Sequence, residues 1–264
     1  MKYVIDNDFH CHSFLSNCCS DERMTPETIL RHAEKFGYAV QCITDHFWDE
    51  EHLPGAPGWY AEQCVRHVKK NLPLPQSDKV RFVFGCETEY SLDSQLGIHP
   101  DSYDEFSFIV IPPNHFHMDF VRKPEYDTEQ KVANLMVTRL EELAAMDLPF
   151  HKIGIAHMNC SLIAPFGNQF LTYDLICEDR FRAVMHTLAQ KGAGIELNAD
   201  CFLEAPRAEL PRALRIFKMA REEGCKFYCA SDAHTVDRLG NVLQLGEVVD
   251  ALGLTEDDKY HIPV

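Results

Sequence analysis

YVIDNDFHCH (residues 3–12), TPETILRHAEKFG (25–37) and YAVQCITDH (38–46) follow one another as a strand, a helix and a second strand. Tyr3 to Phe9 and Tyr38 to Thr44 are apolar runs of strand length. Between them Thr25 offers an N-cap, Pro26 an N1 residue, Glu27 a first-turn acid and Gly37 a stop. The same alternation continues outward. Strands are predicted at Arg81 to Cys86, Phe106 to Ile111, Ile153 to Ala156, Gly194 to Leu197 and Lys226 to Ala230, with helices around Tyr60 to Lys70, Thr128 to Met146, Asp179 to Lys191 and Pro211 to Glu223. Seven such units argue for a largely parallel sheet. At 264 residues, with no internal repeat and no linker rich in Gly, Ser or Pro, the chain reads as one domain with the length of a single α/β barrel.

The ends of these strands carry the chemistry. His10, His12, Asp45, His46, Glu87, His115, His157, Asp232 and His234 all lie at or just past a predicted C-terminal strand end, the end at which barrel enzymes build their sites. In His10-Cys11-His12 the period of two points both imidazoles the same way, so both can grip one ion. Glu87 and the Asp232/His234 pair come from strands far along the chain, and one ring of strands would bring them to one mouth. The pattern is that of a multinuclear metallohydrolase. Histidines on predicted helices, such as His32, His67 and His186, lack this placement and read as surface or packing residues.

Composition narrows the alternatives. A hydrophobic content of 45% with 25% charged residues is that of a globular chain able to bury a full core. No apolar run of signal-peptide length or membrane-span length is present, which leads to the expectation of a mature chain starting near Met1 and staying soluble. Eleven scattered cysteines without a C-x-x-C pair suit a reducing cytoplasm, most of them as small buried hydrophobes. A formal charge of −16 disfavours extended contact with nucleic acid but leaves room for a small anionic substrate.

DFHCH, ITDHFWD, FGCETE, IGIAHMN and ASDAHT, taken in order, resemble the successive motifs of the PHP (polymerase and histidinol phosphatase) superfamily from about Asp8 to Thr235, and GIELNAD resembles the strand-six string of its histidinol-phosphatase branch. The resemblance implies a distorted seven-stranded (β/α)7 TIM-like barrel. It also implies two or three divalent ions, usually zinc, manganese or iron, and hydrolysis of a phosphate monoester. His10, His12 and Asp232 would hold the first ion and Glu87 would bridge it to a second. The second would take His157 and a histidine after strand four, where PPNHFHM offers His115 and His117; His115 is nearer the strand end. A third would use His46 and His234. Many members place another histidine after H-x-H, where this chain has Cys18, Cys19 and Asp21; a thiolate there favours zinc and a carboxylate tolerates manganese.

Asp45 reads as a carboxylate that orients a neighbouring imidazole and so assists catalysis, beside Glu87, Asp232 and His234. Glu89 shares a face with Glu87 and reads as structural. Phosphate needs cationic clamps, for which Arg238, just after the last motif, is best placed; Arg23, Arg122 and Arg207 lie in other predicted mouth loops. The general acid is left unassigned. Three rivals are weighed against this reading. An amidohydrolase would place a bridging lysine after strand four, where the chain has Pro112-Pro113-Asn114. A PHP-type exonuclease is disfavoured by the acidic balance. A non-catalytic metal-binding module rests only on the missing third-ion histidine.

Overall fold

The computed structural model describes residues 1–163 and 167–263. Its strands are β1 (Asn7–Asp8), β2 (Val40–Phe47), β3 (Arg81–Thr88), β4 (Phe108–Ile111), β5 (Ile153–Ile155), β6 (Gly194–Asn198) and β7 (Lys226–Ala230). All pair in parallel with their sequence neighbours, in the order β1 to β7. The gap between β7 and β1 is stitched by single bonds: the Phe9 N–H donates to Cys229 at 3.0 Å, the His12 N–H to Ala233 at 3.1 Å and the Asp232 N–H to His10 at 2.8 Å. The result is a nearly closed, single-domain α/β barrel.

Period two divides the strands into an inner and an outer face. Phe9, Cys42, Val83, Phe108, Val110, Ala156, Tyr228 and Ala230 fill the interior, with Tyr260 and Ile262 from the C-terminal segment packed against them. Phe108 and Tyr228 meet edge to face at 5.2 Å, and Gly154 makes their fit possible, since a Cβ there would stand 2.5 Å from both rings' outer atoms. The other face packs on the helices α1 (Pro26–Phe36), α2 (Val65–Val68), α3 (Glu129–Ala145), α4 (Gln169–Asp174), α5 (Glu178–Lys191), α6 (Ala199–Glu204), α7 (Leu210–Glu222) and α8 (Gly246–Leu252).

α1 starts and stops where its sequence says: Thr25 accepts from the Thr28 N–H, and Gly37 turns out of the helix at φ 76°. Among the departures from expectation, two have a clear cause. β1 shrinks to two residues because the chain before it is tied to the C-terminal segment, Lys2 bridging Thr255 and the Val4 N–H donating to Glu256 at 2.5 Å. The helix expected over Tyr60 to Lys70 breaks into a 3-10 turn at Gly58–Tyr60, the short α2 and a second turn at Lys69–Asn71. Gln63 explains the break. It is fully buried, its carbonyl accepts the Trp48 N–H at 2.8 Å, and its side chain joins Asn17 and Leu15, so this segment braces the end of β2.

Candidate metal centre

Glu87, on the inner face of β3, is the hub. One of its oxygens lies 3.3 Å from Nε2 of His10, 3.5 Å from Nε2 of His12 and 3.1 Å from Nδ1 of His46. The other lies 3.7 Å from Nε2 of His157 and 3.8 Å from Nε2 of His115. Asp232, beyond β7 and held at φ 52°, divides its oxygens in the same way, 3.1 Å from His12 and 3.2 Å from His157. His10 and His12 converge, their Nε2 atoms 3.2 Å apart.

The ring nitrogens that face away from this hub are held. His10 Nδ1 meets Glu196 at 2.6 Å, His115 Nδ1 meets Glu89 at 2.7 Å and His12 Nδ1 meets the Ser16 hydroxyl at 3.0 Å. Tyr60, whose hydroxyl donates to Glu89 at 3.3 Å, also sits 3.2 Å from His46 Nδ1, the nitrogen that faces Glu87. Fixing one nitrogen of an imidazole sets the tautomer and orientation of the other, as metal sites require.

The electrostatics match. Burial alone would raise the carboxyls of Glu87 and Asp232, but the imidazoles around them hold both well below the carboxylate range. Burial alone would lower His157, yet Asp232, Glu196 and Glu87 carry it up to about 10. His46 goes the other way, pulled well below 6.5 by burial and by His12, His115 and His234 despite Glu87.

Both Glu87 oxygens and His157 Nε2 are buried without a hydrogen-bond partner. Buried polar atoms are rarely left so, because each costs about 1–3 kcal/mol. Divalent ions would satisfy all three. Sets of ligand atoms within 4.8 Å of one another recur around the hub: His10/His12/Glu87, His10/His157/Asp232, Glu87/His115/His157 and His12/Cys18/His234.

His115 thus joins the cluster, and His117 lines the cavity beside it, its ring 5.6 Å away. His234 groups with His12 and Cys18, and His46 and His234 stack on His12 at 4.8 and 4.5 Å and line the same cavity, with His46 also facing Glu87 and Tyr60. Asp21 stays outside, because Arg23 grips both its oxygens at 2.8 Å and the Val236 N–H binds one of them at 3.1 Å. Asp45 points to the outer face, opposite His46, as alternation along β2 demands. Its carboxylate is taken up by Ser13, Ser16 and Asn71, so it reaches His12 only through the Ser16 hydroxyl.

Each arginine expected to clamp phosphate lies near an acid. Arg238 is paired with Asp200 at 2.5 Å, Arg23 with Asp21, and Arg207, largely exposed, lies 3.7 Å from Glu247. Glu196 was missed by sequence reasoning although it carried a signal: a lone acid in a strand buried on both faces must be paired.

Above the cluster opens a cavity of about 230 Å³, walled by Trp59, Met118 and Leu162 as well as the histidines. Among the described residues, no helix is long and apolar enough to cross a membrane.

No protein-family model and no curated protein sequence matches the chain. Among solved structures it is similar to histidinol phosphate phosphatase (HISK) from Lactococcus lactis, determined with zinc, L-histidinol and phosphate, at a TM-score of 0.67 and 14% identity over 98% of this chain and 100% of that one. It is also similar to a Listeria monocytogenes protein named as a histidinol phosphatase, hisK, at a TM-score of 0.57 and 14% identity over 89% of this chain and 97% of that one. At such identities the likeness is one of architecture, a barrel matched almost end to end.

Proposed function

We propose that this chain is a metal-dependent phosphoesterase of the PHP type that hydrolyses a small phosphate monoester. The observation that carries the reading is Glu87: a fully buried carboxylate with two unpartnered oxygens, one facing His10 and His12 and the other facing His115 and His157. That is the donor set of a bridged pair of zinc, manganese or iron ions. A third ion would draw on Cys18 and His234 beside His12.

When bound, divalent ions supply a nucleophile from water near neutral pH and offset the charge that builds on phosphate oxygens. The chain's own residues do the rest. Glu196, Glu89 and Ser16 fix the imidazoles of His10, His115 and His12, and Asn198 donates to Asp232 at 3.2 Å to hold its carboxylate in place. Trp59, Met118 and Leu162 shape the side of the cavity open to a leaving group and exclude water from it.

Charge supports the same reading. The chain carries −16 overall, and among the described residues no lysine or arginine lines the cavity. A phosphate dianion therefore depends on bound cations for its attraction. The similarity in fold to a phosphatase solved with L-histidinol and phosphate makes histidinol phosphate one candidate substrate, but leaving-group selectivity resides in loops that fold likeness does not read. Nucleic acid is not expected as a partner. A reducing, cytoplasmic setting fits eleven free thiols, most of them buried.

Elemental analysis of the purified protein, paired with p-nitrophenyl phosphate hydrolysis before and after chelation and readdition of Mn²⁺ or Zn²⁺, tests the reading. Two or three ions per chain with chelator-sensitive turnover is expected. Stoichiometric metal with no turnover of any phosphate ester would overturn it.

A further inference from the structure

A second group of metal-binding side chains lies away from the hub, on the rim. His52, His99 and Asp101 offer ligand atoms that all fall within 4.8 Å of one another. They come from two segments far apart in sequence: His52 from the loop that leaves β2, and His99 and Asp101 from the connection between β3 and β4, where His99 caps the 3-10 turn Pro100–Glu105. The imidazoles stack with centroids 4.9 Å apart. His99 Nδ1, which accepts the Asp101 N–H at 3.3 Å, stands 3.5 Å from Asp101 Oδ2, so an ion held at that nitrogen would replace the cap bond.

What separates this group from solvated surface charges is Asp49. Its carboxylate is fully buried beneath the two histidines and lies 3.1 and 3.2 Å from His52 Nδ1, while accepting the His99 N–H at 3.2 Å. A buried carboxylate on Nδ1 leaves Nε2 as the nitrogen with a free lone pair, which is how proteins present an imidazole to a metal. Both rings are about one-third exposed, with 36% of each side chain accessible, so each has room to turn toward a shared ion.

We propose that His52, His99 and Asp101 bind one additional divalent transition-metal ion, zinc above all, and that this ion pins the loop after β2 to the β3–β4 connection. Two imidazoles and one carboxylate form a borderline donor set, suited to zinc, cobalt, nickel or copper over magnesium or calcium. The loop pinned at His52 leads on to Trp59, which walls the cavity, so the ion stiffens one side of the mouth. The proposal stands independently of the phosphoesterase reading.

Equilibrium dialysis of the full chain at a fixed micromolar free Zn²⁺ concentration, followed by elemental analysis, tests it. Wild type should hold one zinc more than His99→Ala and than Asp101→Ala. His157→Ala, which removes a hub ligand, should lose hub zinc and keep the rim equivalent. Zinc should also slow proteolysis within residues 49–57 of wild type and leave the His99→Ala rate unchanged. Equal zinc in wild type and both rim variants, or equal protection of wild type and His99→Ala, overturns the proposal.

Discussion

Oε1 of Glu196 stands 2.6 Å from Nδ1 of His10, and its second oxygen accepts the His157 N–H at 2.7 Å. One carboxylate in the middle of β6 thereby sets the orientation of the His10 imidazole on the β1 side of the barrel and the backbone of His157 beyond β5, which is held at φ 61°. Glu196→Gln would present an amide N–H to one of these two donors. We expect the variant to fold and to bind hub metal about 10–100-fold more weakly, measured by competition with a chromophoric chelator. Unchanged affinity would break the link between β6 and the hub.

Glu87 should make stability depend on metal. Its two bare oxygens burden the metal-free chain, and ions that bind only the folded state stabilise it by about 4 kcal/mol at a thousand times Kd. For a chain of this length that is a rise in Tm of roughly 10 °C. Differential scanning calorimetry with and without EDTA should show the rise in wild type and little of it in Glu87→Gln.

Protons compete for the same sites. In the metal-free chain burial opposes the charge on His157, but Asp232, Glu196 and Glu87 carry its pKa up to about 10; His10 is likewise raised, by Glu87, Asp232 and Glu196. A pKa raised on folding contributes stability that is complete below the unfolded value of 6.5 and is lost as pH climbs toward 10. The metal-free chain should therefore lose stability across that window. Metal needs the neutral imidazoles, so its affinity should rise over the same range, with at least two protons released per chain at pH 7. Titration calorimetry in buffers of different ionisation enthalpy counts them, and zero release contradicts the assignment of His10 and His157 as ligands.

Asp45 is predicted to matter for folding more than for turnover. Its carboxylate collects the Ser13 N–H, the Ser13 and Ser16 hydroxyls and the Asn71 amide. Asp45→Ala strands several buried donors, at a cost of about 2–4 kcal/mol, readable as a lower urea midpoint. The metal-loaded variant should keep kcat within a few-fold of wild type. A collapse of kcat with an unchanged urea midpoint would restore a direct role.

How far these features were legible varied with how local their causes are. α1 was readable to the residue because its caps, Thr25 and Gly37, act within a turn of themselves. β7 was found at its observed bounds, Lys226–Ala230. The ring of histidines and acids was visible because strand ends in a barrel share one mouth. Hidden were effects that arise only in three dimensions: Gln63 drawing residues 61–64 under β2, and Glu196 and Glu89 finding imidazoles from other strands. The pairing of Arg238 was equally hidden, because a cationic residue after a strand end says nothing of the acid beside it, here Asp200. Asp45 reaches an imidazole, that of His12, only through the Ser16 hydroxyl, a link that sequence order does not show.

Cys18 offers the sharpest test of what distinguishes this centre. It reaches into the cavity with His12 and His234, and burial, with Glu87 and Asp232 adding, pushes its thiol up when no metal is bound. A bound ion reverses that balance, since a coordinating thiol is deprotonated outright. The cobalt-substituted protein should then show a near-ultraviolet sulfur-to-cobalt charge-transfer band that disappears in Cys18→Ser. Replacing the thiolate with a carboxylate in Cys18→Asp should shift preference from zinc toward manganese by about tenfold or more, as expected when a soft donor gives way to a hard one. A band that survives in Cys18→Ser would take the thiolate out of the centre and leave His12 and His234 to hold an ion without it.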